Sequence, residues 1–305
     1  MIHGVINVYK EKGFTSHDVV AKLRGITRQK KIGHTGTLDP DAVGVLPVCL
    51  GKATKLCDML TDKDKTYEAV LLLGVSTDTQ DITGEVLEEK PTDQLTEDKV
   101  RKIIESFVGE YSQIPPMYSA LKVNGKKLYE LAREGKVVER KPRQVKIHSI
   151  QILEMNLPRV KMEVSCSKGT YIRTLCADIG EKSGCGGCME KLVRTKVERF
   201  KIENSLKLSK IEQLKNEGKL SDAIIPIDEM FSQYRKITVT GESEKAVKNG
   251  NFFRPEEPDI LKESELFNDK ERIRVYDGTE TFVAIYEYDK SKKHFKIVKI
   301  FYDGN

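Results

Sequence analysis

Residues 33–47 read Gly33-His34-Thr35-Gly36-Thr37-Leu38-Asp39-Pro40-Asp41-Ala42-Val43-Gly44-Val45-Leu46-Pro47, a run holding three glycines and two prolines. Glycine's freedom and proline's fixed φ work against any regular helix or strand through such a run. The proline after Asp39 biases that aspartate to an extended backbone. A carboxylate on a loop between two apolar segments is available to a cleft, where it can serve as a nucleophile or a charge stabiliser. The same geometry also suits an Asx-turn, in which the carboxylate only caps its own backbone.

Two other groupings could carry chemistry. Residues 122–146 hold nine Lys or Arg against three Glu, a local +6 in a chain whose net charge is +5. A concentrated basic segment suits a polyanion, because each phosphate it neutralises releases a counterion; a solvated surface loop is the plainer alternative. Residues 256–271 reverse the sign, with seven acids against two lysines. Cys185-Gly-Gly-Cys188 has the spacing of a redox pair or half a zinc site. A zinc site needs a second pair or nearby histidines, and His3, His17, His34, His148 and His294 are scattered. The glycines there suggest a turn, and no metal is expected.

These groups need elements to position them. At 305 residues the chain exceeds what one core usually organises, so two domains are expected. Its 38% hydrophobic and 32% charged residues suit a soluble globular protein. No apolar run approaches the roughly 20 residues that cross a bilayer, and the start, MIHGVINVYKEKG, lacks a signal-peptide layout. A cytoplasmic address is the expectation.

Residues 4–8 read as a strand, and Thr15 or Ser16 caps a helix running through residues 18–24. A loop spans residues 33–41, an apolar stretch 43–50, a strong strand 65–73 and a polar turn region 74–84. Residues 97–108 have helical spacing, with Val100, Ile103, Ile104 and Phe107 on one face. Residues 145–154 and 160–165 read as strands and 171–181 as a helix. Without a regular βαβ rhythm, the fold class is α+β with a largely antiparallel sheet. After Pro226, residues 236–240, 272–277, 281–288 and 296–302 are β-rich, which predicts an all-β module of about 70 residues.

Residues 33–47, continued by Cys49-Leu50-Gly51-Lys52-Ala53-Thr54-Lys55, resemble the signature of the bacterial tRNA pseudouridine-55 synthases, the TruB-type branch of the pseudouridine synthases. That signature reads close to GHTGxLDPxAxGxLPxxxGxATK, and the chain satisfies it throughout. Further matches follow in order: Gly13-Phe14-Thr15-Ser16-His17-Asp18, Lys65-Thr66-Tyr67, Thr77-Asp78-Thr79-Gln80-Asp81, Pro115-Pro116-Met117-Tyr118-Ser119-Ala120-Leu121-Lys122, Gly169-Thr170-Tyr171-Ile172-Arg173-Thr174-Leu175 and Leu192-Val193-Arg194-Thr195. Together they cover most of residues 1–200. The carboxyl module loosely resembles a PUA domain.

The resemblance implies a catalytic domain over residues 1–230, with a basic RNA-binding insertion near 115–146, and a PUA-like RNA-binding domain over 231–305. It implies isomerisation of a T-loop uridine, position 55 of tRNA, to pseudouridine by base flipping. That reaction moves a glycosidic bond from nitrogen to carbon with no redox step and no external group, so no cofactor is expected. Asp39 matches the family's nucleophile, whether at ribose C1′, at uracil C6 or through elimination. Arg173 matches the residue that pairs with it and keeps it charged. Tyr67 matches the tyrosine against the base, and Tyr171 and Leu192 match residues of the base pocket. His34 matches a residue that occupies space left by flipped nucleotides, and Asp81 lies in a turn near the cleft. Lys122, Lys126, Lys127, Arg140, Lys141 and Arg143 would meet the RNA backbone.

Without the family, Arg173 reads as a surface arginine at a helix start, Tyr67, Tyr171 and Leu192 as core, and His34 as a loop histidine. The chain departs from the family at Glu11, where many members have proline, and at Glu198, where many have glycine. The implied partner is tRNA, through its T-stem-loop; the enzyme is expected to be a monomer with no obligatory protein partner and no membrane. A non-catalytic RNA-binding or RNA-folding protein is the competing class, and a thiol-redox or zinc protein the third.

Overall fold

The computed structural model describes residues 1–254 and 267–302. Strand β1 (Gly4–Lys10) leads to helix α1 (Ser16–Thr27), and β2 (Ile32–His34) and β3 (Val43–Leu50) flank the Asp39 loop. Next come α2 (Cys57–Thr61), β4 (Lys65–Leu73), the ribbon β5 (Val75–Thr77) and β6 (Val86–Glu89), α3 (Glu97–Glu105) and β7 (Gly109–Gln113). The basic segment forms a ribbon, β8 (Lys122–Val123) and β9 (Lys126–Lys127), and a short helix, α4 (Leu128–Arg133). Strands β10 (Arg143–Asn156) and β11 (Arg159–Cys166) precede α5 (Ile172–Ser183), β12 (Gly187–Val197), β13 (Phe200–Lys201) and α6 (Leu208–Asn216). The rest comprises β14 (Arg235–Thr238), α7 (Gly241–Lys248), β15 (Arg272–Tyr276), β16 (Phe282–Asp289) and β17 (His294–Ile300).

The fold is α+β. A nine-stranded sheet has the order β1-β3-β12-β4-β11-β10-β7, with β2 on β3 and β13 on β12. Its pairings are antiparallel except for β12 beside β3, where Val193 faces Val43 and Arg194 faces Gly44. Strand β4 alternates: Lys65, Tyr67, Ala69, Leu71 and Leu73 are buried, the residues between them half-buried. Part of its buried face packs on α3 and α5 through Val100, Ile104, Leu175 and Ile179. Elsewhere α1 and α6 cover β1 and β3 through Val19, Leu23 and Ile211. Helix α1 starts where Thr15 Oγ1 accepts from the Asp18 N–H at 3.0 Å and Asp18 accepts from the Thr15 N–H at 2.8 Å.

Several elements differ from the sequence-based expectation. Residues 74–84 are not only a turn, since β5 pairs with β6. Strand β12 hides behind charges at Glu190, Lys191, Arg194 and Lys196, which break the apolar alternation. The turn at Cys185 closes on Gly184 and Gly186 at φ 86° and 76°. At that turn α5 crosses β12 so closely that a Cβ on Gly180 would lie 2.2 Å from the Gly187 nitrogen. Cys185 and Cys188 are free thiols buried beside the crossing.

The carboxyl-terminal sheet has the order β14-β15-β16-β17. It is β-rich but not all-β, because α7 lies between its first two strands. Most of the acidic stretch 256–271 lies outside the described residues. The module has its own core, including Phe253, Phe267 and Phe295. It also docks on the large sheet: Phe231, Ile285 and Phe301 share a cluster with Val5, Val45 and Cys49. Each such side chain contributes about 1.5–3 kcal/mol when fully buried.

Glu198 has φ +50° in the turn between β12 and β13. A Cβ is strained there by about 1–2 kcal/mol, and the exposed ion pair to Lys63 at 3.4 Å offsets little of it. Glu198→Gly should therefore stabilise the fold by about 0.5–1 kcal/mol after the entropy glycine gains in the unfolded chain. Denaturant melts check this, and an unchanged or lower midpoint would contradict it.

Candidate active site

The loop that carries Asp39 is pinned by five anchors. Leu38 and Ala42, 4% and 2% exposed, plug into the core on either side of the aspartate. The Leu38 N–H donates to Ser16 Oγ on α1 at 2.9 Å. The Gly13 N–H donates to the Pro40 carbonyl at 3.0 Å. Lys10 at the end of β1 is fully buried, and its Nζ donates to the carbonyls of Pro40 at 3.0 Å and Ala42 at 2.6 Å. Burial holds this ammonium down to about 8, so it remains charged at neutral pH. Arg194 on β12 donates from Nε to the Val45 carbonyl at 2.7 Å and from its Nη atoms to Thr37 and Gly36 at 3.4 and 3.3 Å.

Arg173, in the first turn of α5, is the centre of the site. Its Nε lies 3.1 Å from Asp39 Oδ2, and its Nη1 3.6 Å from Asp81 Oδ2. The remaining donors reach the carbonyls of Thr79 at 3.1 Å and Tyr118 at 2.8 Å. The arginine side chain is 7% exposed against 43% for Asp39, so the carboxylate stands at an opening above a nearly sealed guanidinium. Asp81 is fixed in turn by Thr79 Oγ1 at 2.9 Å, the Thr83 N–H at 3.0 Å and Thr83 Oγ1 at 2.6 Å. Two carboxylates share one guanidinium. Burial raises the Asp39 carboxyl above its ordinary value; Arg173 and Lys10 oppose that rise, and Asp81 adds to it.

The other expected residues surround this pair. Tyr67 on β4 is buried beside Leu38 and Ala42, and Arg194 is its cross-strand neighbour. Burial pushes its hydroxyl up, while the adjoining Arg194 guanidinium pulls it down. Tyr171 sits at the start of α5, its N–H donating to Gln113 Oε1 at 2.8 Å and its carbonyl accepting from Gln113 Nε2 at 3.0 Å. The Asp39 charge reaches both tyrosines. Leu192, opposite Ala69, packs at the edge of the same core. His34 is half-buried at the loop's entry, its Nδ1 accepting from the Gly36 N–H at 3.3 Å. Burial, then Arg194, lowers its pKa, favouring the neutral ring.

The basic segment is joined to this site through Tyr118, whose carbonyl Arg173 holds. Lys122, Lys141 and Arg143 are exposed. Lys126 pairs with Glu134 at 3.6 Å, and Lys127 donates to the Tyr129 hydroxyl at 3.1 Å. Arg140 turns inward to the Pro115 carbonyl at 3.2 Å. Sequence reasoning assigned no role to Lys10, Gln113 or Arg194. For Lys10 and Arg194 a charged residue ending an apolar strand, or interrupting one, was the available signal, and it does not say which face the side chain takes; the neutral Gln113 offered none. Among the described residues, no cluster of three or more His, Cys, Asp or Glu groups as a cation site.

Comparison with known proteins bears on this arrangement. The model of the TruB family pseudouridylate synthase N-terminal domain matches residues 24–172, and that of the tRNA pseudouridylate synthase B C-terminal domain matches residues 173–232. A tRNA pseudouridine synthase B of Lachnoclostridium phytofermentans is 56% identical over 98% of this chain and all of its own length. One of Clostridium tetani is 45% identical over 98% of this chain and 99% of its own. Among solved structures, a chain of a Cbf5-Nop10-Gar1 complex matches with a TM-score of 0.71 and 27% identity, covering 98% of this chain and 85% of that one. A chain of an H/ACA ribonucleoprotein bound to a substrate RNA containing 2′-deoxyuridine matches at 0.70 and 25%, with the same coverage.

The raised Asp39 pKa has a stability consequence. The folded protein holds that proton more tightly than the unfolded chain, whose carboxyl titrates near 3.8. The ionised form therefore lowers stability above the raised folded pKa, and protonation restores it as pH falls. Because the carboxylate is 43% exposed, solvent screens much of this effect, and Asp39→Asn should melt only slightly above the native protein at pH 7, with the gap closing as the pH falls toward about 4. A variant that melts lower at every pH would show the Arg173 contact outweighing burial.

Proposed function

The chain belongs to the TruB family of pseudouridylate synthases and is a tRNA pseudouridine synthase, an isomerase; on that premise we propose that it converts the T-loop uridine at position 55 with Asp39 as the nucleophile. The observation that carries this reading is the 3.1 Å contact between Asp39 and the buried Arg173. Each route open to the carboxylate, at C1′, at C6 or through elimination, needs it ionised, and desolvation by bound RNA works against that. A guanidinium fixed by two backbone carbonyls and a second carboxylate opposes the rise that burial imposes on Asp39 and aims its carboxylate.

The remaining residues take roles around that contact. The target base is stacked in the folded tRNA, so it is flipped out, at a cost of a few kcal/mol. Tyr67 lies against the flipped ring and relays the C5 proton. Tyr171 and Leu192 wall the pocket and keep water from the intermediate. The neutral His34 ring stacks in the gap the nucleotides leave. Asp81 acts through Arg173 and not on the base. Lys122, Lys126, Lys127, Lys141 and Arg143 meet phosphates from the insertion at residues 115–146, whereas Arg140, expected to do the same, is turned inward to Pro115 and braces that insertion.

The reading divides the chain into a catalytic domain of residues 1–230 and a PUA-like RNA-binding domain of residues 231–305. Support comes from the separate core and sheet of the carboxyl module. It makes the enzyme a cytoplasmic monomer whose partner is the T-stem-loop of tRNA; no helix among the described residues is long and apolar enough to cross a membrane.

Asp39→Asn should bind an unmodified tRNA transcript with native affinity yet form pseudouridine at least roughly 10³-fold more slowly, as removal of a nucleophile does. Single-turnover assays read this, and product at near-native rates would remove Asp39 from the chemistry. Neutralising Lys126, Lys127, Lys141 and Arg143 should flatten the salt dependence of tRNA binding. The expected change in slope is about 0.7–0.9 per lost phosphate contact. An unaltered slope would take that segment out of the interface.

A further inference from the structure

Arg194 heads the largest fully buried side chains among the described residues, at 1% exposure, and the groups that set its charge include no carboxylate. A buried guanidinium left without a counter-ion is costly, and it stays charged only where its N–H groups are met by well-placed acceptors. Here the acceptors are three carbonyls, and their positions are informative. Gly36 and Thr37 precede Asp39 in its loop, and Val45 follows it on β3. The guanidinium thus bridges the two ends of the segment that presents Asp39.

The same group adjoins the Tyr67 hydroxyl, with Tyr67 and Arg194 facing each other across β4 and β12. Beside it β3 runs so close that a Cβ on Gly44 would lie 2.2 Å from the Arg194 carbonyl. Loop, β3, β4 and β12 therefore meet at one side chain. Lysine would bring the same charge on a single ammonium; only a planar fork reaches Val45 from one edge and the loop from the other.

We propose that Arg194 is a positioning residue for the reaction: its forked guanidinium sets the spacing between the loop bearing Asp39 and the Tyr67 hydroxyl. The inference rests on the reading above in which both residues border the flipped base. Misplacing a reacting group by about 1 Å costs on the order of 10²-fold in rate without weakening distant binding contacts. The role predicts a loss in the chemical step and not in tRNA affinity. It also predicts that restored charge without the fork gives no rescue.

The test uses the full chain as Arg194→Lys, Arg194→Gln, Tyr67→Phe and the Arg194→Lys/Tyr67→Phe double variant. Thermal melting, tRNA affinity and single-turnover pseudouridine formation are measured on each. Expected are folded Arg194 variants that bind tRNA within about threefold of native and react at least about 30-fold more slowly, lysine no better than glutamine. The double variant should lose less than the product of the two single losses, the mark of residues acting as one unit. Folded Arg194 variants with near-native rates overturn the proposal, as does full multiplicativity with Tyr67→Phe when that change is itself costly. Failure of both Arg194 variants to fold also overturns it, assigning the side chain to the core alone. A native rate in Tyr67→Phe alone would instead sink the reading of Tyr67 at the base, leaving the single Arg194 variants to decide its hold on the loop.

Discussion

A guanidinium shut away from water has to be answered by negative charge or carbonyl dipoles, and at Arg173 it is answered by both. Asp81 and the carbonyls of Thr79 and Tyr118 occupy part of its fork, and Asp39 takes the edge that faces the opening. Four segments distant in sequence have to arrive together for this to happen: the loop after β2, the turn after β5, the start of the basic insertion and the first turn of α5. The large sheet and the helix on its face are arranged to bring them there. Loss of Asp81 or of either carbonyl would leave part of a buried charge unmatched, which is more costly than loss of a surface pair.

The loop around Asp39 shows how a conformationally permissive sequence is made rigid. Its glycines and prolines exclude a ladder of backbone hydrogen bonds, so its carbonyls need other donors. Lys10 and Arg194 supply them from beneath, each with its charge buried. Leu38 and Ala42 supply the apolar anchor on either side of the acid. The aspartate is thereby held in a fixed place on a loop that is itself neither helix nor strand.

Charge is distributed to match this division of labour. The inward cations, Lys10, Arg173 and Arg194, organise the pocket, whereas Lys122, Lys141 and Arg143 remain in solvent where a phosphate backbone can meet them. The carboxyl sheet is tied to the large sheet through Phe231, Ile285 and Phe301 rather than by a free linker. That apolar seam fixes its orientation relative to the opening above Asp39, so any RNA surface it offers is held in a constant relation to the site.

The period-2 alternation in residues 65–73 and the capped helix after Thr15 are written locally, and the structure contains both. So is the presentation of Asp39 on an irregular loop, because glycine and proline act through their own backbones. Residue types along the matched motifs were enough to indicate the family. Strand β12 was not legible, since its pattern is broken by Glu190, Lys191 and Arg194; Glu190 pairs with Arg159 on β11, and Arg194 turns to carbonyls of β3 and the Asp39 loop. The same holds for Lys10 and Arg194 as supports of the loop. A long cationic side chain reads alike whether it reaches into solvent or folds back onto carbonyls, and only the packing of β1, β3 and β12 around the loop decides between the two.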